Sequence, residues 1–215
     1  MFDEHRFLEI AVRNGADRPQ FAGTKPCPDL WIGQLSCVGD RNYCREDSPF
    51  AATDRRLILI LESPHKMEYP TCGGGRSKVA DGPARGPTGV RLRNGFDRLI
   101  RRHGEFESLP GATSVILMNA IQFPCSLFEN TSRHRDRVFE DCWNDGAREE
   151  FADRLDNYAR HDAVIVNACT RGTGATPLHE LVRAAIFRSH WRIAHPFSWT
   201  ARTRVPSPIP QRRKD

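Results

Sequence analysis

No apolar run approaches the ~20 residues that a membrane-spanning helix needs, and Met1 to His5 lack the basic and apolar regions of a secretory signal. These absences point to a soluble, cytoplasmic chain with no membrane partner. Lysine is scarce, with only Lys25, Lys66, Lys78 and Lys214 among the 32 basic residues. The net charge of +5 at pH 7 is therefore carried by arginine, whose planar fork suits phosphate and nucleic acid. A GC-rich genome would produce the same bias.

Cysteine is present but not in the patterns that would make it informative. Seven thiols are an odd number, which suits a reduced compartment better than a disulfide framework. Close C-x-x-C pairs are absent, so a metal knuckle is not indicated and no cofactor is expected. Cys27, Cys37, Cys44 and Cys72 are the thiols that would serve if a metal did bind; otherwise they are small buried hydrophobes. The G-x-x-x-x-G-K-[ST] spacing of a P-loop is missing too. What remains is a glycine-rich stretch, Gly73 to Gly75, then Gly86-Pro87-Thr88-Gly89 before an apolar-periodic segment from Val90 to Ile100. Such a stretch permits close backbone approach to a ligand, and a helix start offers unpaired N–H groups to an anion. No internal repeat is found.

Against these absences stands Leu57 to Leu61, five apolar residues running directly into Glu62-Ser63-Pro64-His65. An unbroken run of this length reads as a strand buried on both faces. Val115 to Met118 before Asn119, Ala163 to Val166 before Asn167, and Trp191 to Ala194 before His195 end in the same fashion. Between them lie helical patterns: residues 4 to 13, 90 to 100, one long amphipathic helix over 135 to 160, and 177 to 188. Alternating strands and helices imply an α/β fold, a three-layer α/β/α sandwich on a central, mostly parallel four-stranded sheet. All four strand ends then face one side, where open sheets of this class bind ligands. At 215 residues one domain suffices, with 1–53 an irregular N-terminal extension, 54–200 the core and 201–215 a basic tail. A monomer is expected.

The pieces Leu61 to His65 (L-E-S-P-H), Pro83 to Gly89 (P-A-R-G-P-T-G), Leu117 to Asn119 (L-M-N) and His195 to Trp199 (H-P-F-S-W) resemble, in the same order, the motif series of the uracil-DNA glycosylase superfamily. The resemblance implies an enzyme that extrudes a base from DNA and hydrolyses its N-glycosidic bond, in base-excision repair or anti-phage defence. It implies catalytic roles for Glu62 or Ser63 with water and for His195 at the departing base. It places Pro64, His65, Gly89, Asn119 and Phe123 around that base, with Asn119 reading its edge and Phe123 as the candidate stacking ring. Arg85, Thr88, Arg171, Phe197, Ser198, Trp199 and Arg202 would face DNA, with Phe197 or Trp199 filling the gap left by the base.

The chemistry supports such a set independently. Glycosidic cleavage develops positive charge on the sugar and negative charge on the base, so a fixed donor at the base and a carboxylate near the sugar both lower the barrier. The chain departs from the family at Ser63, where the family's familiar aspartate stands, and at His65, where the uracil-specific branch has a tyrosine. These departures suggest a modified or bulky pyrimidine, such as a phage-type hypermodified cytosine. Two alternatives stay open: a non-catalytic nucleic-acid-binding module on the same fold, and a small-molecule nucleoside hydrolase. Each residue also has a plain structural role open to it, with Asn119 capping a turn, His195 a buried hydrogen-bonded ring and Glu62 an arginine's ion-pair partner.

Overall fold

The structure is a computed structural model. It describes residues 2–35, 43–44, 55–72, 75–87, 89–90, 92, 113–131, 133–159, 163–174, 176–188 and 193–196, with backbone alone for 34–35, 43–44, 55, 72, 188 and 193–196. Calls on Cys37, Thr88, Phe197, Ser198, Trp199, Arg202, most of the 90–100 helix and the 201–215 tail lie outside the described residues.

The apolar run seen in the sequence becomes the central strand. Leu57, Ile58, Leu59 and Ile60 are each at most 2% exposed, and each fully buried aliphatic side chain of this kind stabilises the fold by roughly 1.5–3 kcal/mol. Their strand, β3 (Arg55–Leu61), pairs in parallel with β6 (Thr113–Asn119) on one side and β7 (Val164–Asn167) on the other. Strand β8 (Ile193–Pro196) pairs in parallel with β7. These are the four expected strands. The last is described over Ile193–Pro196, so His195 and Pro196 lie within it.

Two further strands extend the sheet beyond β6. Strand β1 (Leu30–Leu35) runs antiparallel to β6, and β2 (Tyr43–Cys44) antiparallel to β1, giving the order β2-β1-β6-β3-β7-β8. Residues 14–53, expected to be irregular, thus supply one sheet edge, and also the short helix α2 (Arg18–Phe21). Strand β1 was hidden by Gly33, whose φ of 143° accompanies a register shift between Trp31 and Gly33, a bulge that interrupts regular alternation. A small hairpin, β4 (Thr71–Cys72) with β5 (Gly75–Arg76), stands apart from the main sheet.

Alternation along the strands divides the core in two. Ile58, Ile60, Ile116, Met118 and Ile165 meet a helical layer on one face. It contains α1 (Glu4–Arg13), α3 (Arg135–Cys142), α4 (Arg148–Tyr158) and α5 (Leu178–Arg188). Leu57, Leu59, Val115, Leu117 and Val166 face the other way, toward Ala84 and Leu92. Helix α1 keeps the bounds its periodicity predicted, with the Asp3 side chain accepting from the N–H groups of His5 and Arg6.

The single helix expected over 135–160 is two. A π-helical segment, Trp143–Ala147, separates α3 from α4, and Gly146 there has φ 108°. The apolar period ran on across this break because Cys142, Trp143, Ala147 and Phe151 are all buried. Arg56 on β3 donates to the carbonyls of Asn157 and Tyr158 at 3.3 and 2.7 Å, satisfying the last turn of α4.

Candidate active site at the carboxyl end of the sheet

Taken in chain order, the four parallel strands lie in space as second, first, third, fourth. Ala84 and Leu92 of the connection leaving β3 pack on one face, whereas the described helices that follow β6 and β7 pack on the other. Connections that depart to opposite faces open a crevice at the carboxyl ends, the usual ligand position in such sheets. Glu62 and Ser63 sit at the end of β3, on that crevice.

Glu62 is 9% exposed. Ser63 Oγ donates to its Oε1 at 3.2 Å, and Thr170 Oγ1, from the turn after β7, donates to Oε2. Arg135 Nε, in the first turn of α3, stands 3.5 Å from Oε2. Burial pushes the Glu62 carboxyl above the ordinary range, with Arg135 first and the two hydroxyls next holding it down. The thiols of Cys125 and Cys169 lie close by and are held protonated by the same burial. With these donors placed, Oε1 keeps acceptor capacity for a further donor such as water.

Asn119 ends β6 on the other side of the crevice. The ladder continues past it, with Ala120 N–H donating to Leu61 O at 2.7 Å and Ile121 N–H to Glu62 O at 3.0 Å. Arg154 pins this end by donating to the carbonyls of Asn119 and Ala120 at 3.0 and 3.3 Å, and is itself gripped by Asp29 at 2.9 and 3.1 Å. The Asn119 side chain is 2% exposed. Its amide nitrogen meets the Cys27 thiol and has no oxygen or nitrogen partner among the described residues. Alternation sends Asn119 to the face of Leu117 and Glu62 to that of Ile60. The two were expected to converge on one pocket; they instead flank the sheet end from opposite layers.

The loop after Glu62 is built around a residue the sequence did not single out. Glu68, 5% exposed, accepts from His65 N–H at 2.6 Å and from Arg85 N–H at 3.1 Å. One carboxylate thus joins the two ends of the 65–85 excursion. Burial raises its pKa, against the pull of those N–H groups. Pro64 is buried and His65 half-buried. Burial first, and then Lys66 and Arg76, keep the His65 imidazole neutral at pH 7. Arg85 is exposed, its guanidinium donating to Asp81 O at 2.8 and 3.3 Å. At Gly89 a methyl group would overlap the carbonyl oxygen of Ala84, itself at φ 56°. That glycine is explained by close backbone packing.

Phe123 is a correction. It is 3% exposed, stacked on Phe7 at 4.8 Å between ring centroids and edge-on to Phe2 at 5.8 Å. Both rings of α1 and its lead-in occupy it, so it belongs to the core and not to a base. His195 is described by its backbone alone. Pro196 registers with Asn167, and Asn167 with Ile60. His195 therefore lies about 10 Å from β3, two strand spacings away. Arg171 is exposed and makes no ion pair among the described residues.

Thr170, Arg135 and Glu68 are the site residues that sequence reading missed. Thr170 follows the predicted strand end at Asn167 by three residues, whereas nothing local marked the other two. Among the described residues no group of three or more His, Cys, Asp or Glu could hold a metal ion. Cys27 is buried with Tyr69 and Ala80, and its thiol is pushed up to about 12 by burial. No helix among the described residues is long and apolar enough to cross a membrane.

No protein family, curated protein or solved structure matches the chain. The fold and the site define an α/β protein with a buried carboxylate at the switch point of a mostly parallel sheet.

Proposed function

We propose that this chain is a DNA glycosylase that hydrolyses the N-glycosidic bond of a flipped-out uracil or a modified, bulkier pyrimidine. The observation that carries the proposal is Glu62, a carboxylate buried at the crevice, oriented by two hydroxyls and an arginine and keeping acceptor capacity on Oε1. It is placed to orient water toward a sugar that turns cationic as the bond breaks. Across the crevice, Asn119 supplies an amide with hydrogen-bonding capacity unspent on oxygen or nitrogen, a group suited to a base edge. A nucleoside lying over the sheet end would offer its sugar to one layer and its base to the other.

The three-layer sandwich is part of the same proposal, with Leu92 opening the layer opposite the helices. His195 would serve the departing base, and the residues that follow it would enter the duplex. Neutral His65 in place of a blocking ring, and Phe123 buried elsewhere, leave room for a substituent on the pyrimidine. Enzymes of this kind act in base-excision repair or in defence against phage with modified DNA.

The test is to incubate the protein with duplexes carrying uracil, unmodified bases or hypermodified cytosine, and to score alkali-labile breaks. Breaks in one modified or uracil duplex, lost in Glu62→Gln and His195→Ala, are expected. Salt-sensitive duplex binding without breaks would replace the proposal by a binding module. Base release from free nucleosides alone would replace it by a nucleoside hydrolase.

A further inference from the structure

Glu62 is met from each element packed around it. From α3 comes Arg135, with Asp136 behind it accepting from Arg135 Nε at 2.7 Å. From the turn after β7 come the Thr170 hydroxyl and the Cys169 thiol, from the loop after β6 the Cys125 thiol, and from its own neighbour the Ser63 hydroxyl. Arg135 is the cation in contact with Glu62 among the described residues. Asp136 is fully engaged: it also accepts from the N–H of Thr173, from the Thr173 hydroxyl at 2.8 Å and from Gly174 N–H at 3.1 Å.

From this geometry we infer that Arg135 is a positioning residue that fixes the orientation and the charge of Glu62, and that Asp136 anchors Arg135 to the 170–174 turn. The inference rests on Glu62 being the working carboxylate of the proposed reaction. The side chains of Arg135 and Glu62 are 14% and 9% exposed, so solvent screens the pair weakly. An opposite charge at this range favours the ionised carboxylate by about 1–3 pKa units. Without Arg135, only the Ser63 and Thr170 hydroxyls would oppose burial at Glu62, and the carboxyl would hold its proton to higher pH. Asp136 contributes through direction. Its contact at Nε and its bonds to Thr173 and Gly174 set where the guanidinium lies, and the same turn delivers Thr170.

The test reads the carboxyl of Glu62 directly, by carbon-13 NMR of glutamate-labelled protein, with Glu62→Gln for assignment. Its titration midpoint is expected to rise by about one unit or more in Arg135→Met, with Arg135→Lys between that variant and the native chain. In Asp136→Asn, exchange of the Arg135 Nε–H with solvent is expected to speed up at least about tenfold, the bond that protects it being weakened. An unmoved Glu62 midpoint in folded Arg135→Met and Arg135→Lys overturns the assignment. Base release by the native protein is scored alongside. A protein that releases no base but shows the shift supports the Arg135 assignment and overturns the glycosylase reading; one that releases base with an unmoved midpoint overturns the assignment alone.

Discussion

At Glu62, burial and charge act against one another, and the outcome is readable as a pH profile. The acid is expected to work ionised, and burial lifts its pKa above the usual carboxylate range despite Arg135. Base release should therefore rise with pH through a midpoint above the ~4.3 of an ordinary glutamate. Glu62→Gln should lower the rate by roughly 10²–10⁴-fold while leaving duplex affinity near native; a profile flat across the acid range would remove Glu62 from the chemistry. Phe123 makes the converse case. Its ring fills space between Phe2 and Phe7, so Phe123→Ala should cost about 3–5 kcal/mol in urea unfolding, with base release by the folded fraction unchanged. A stacking ring would give the opposite pattern, stability kept and release lost.

At the scale of elements, legibility followed burial. Strands β3 and β6 were readable because both their faces are covered, which writes them as unbroken apolar runs. Helix α1 was readable because one stripe of it is buried, by Phe7, Leu8, Ile10 and Ala11. Strand β1 was not, since its bulge at Gly33 breaks the alternation that marks a half-buried strand. The break between α3 and α4 was equally hidden, because residues on either side of Gly146 keep the helical apolar spacing. Glu62 could be found from its own neighbourhood, but Thr170 reaches it across 108 positions, a contact that topology alone creates. Gly146 offers a check on the break itself. Its φ of 108° is strained for a side-chain-bearing residue, so Gly146→Ala should destabilise by about 1–2 kcal/mol, seen as a lower urea midpoint with an unchanged slope. An increase in stability would mean that the two helices prefer to run on as one.

At the scale of the whole molecule, the buried acids among the described residues act together. Asp29, Glu62 and Glu68 all have carboxyls raised by burial. A raised folded pKa means that the folded state binds its proton more tightly than the unfolded chain does. The resulting stability is complete below the unfolded value, near 4, and is lost as pH climbs through the folded one. Asp136 runs the other way. Burial acts to raise it, but the Thr173 N–H, Arg135 and the Thr173 hydroxyl together hold it low, so its contribution is present at neutral pH and disappears as pH falls through its folded value. The three raised carboxyls are expected to make the urea midpoint climb as pH falls through their folded values toward the unfolded value near 4, with Asp136 opposing them in more acid solution. Glu68→Gln tests the cause: it removes one of the three titrations outside the proposed chemistry, so the climb should flatten whatever happens to the absolute midpoint. A native midpoint that declines steadily as pH falls from neutrality toward about 4, or a Glu68→Gln slope equal to the native one, would show that these carboxyls do not govern the acid response of the fold.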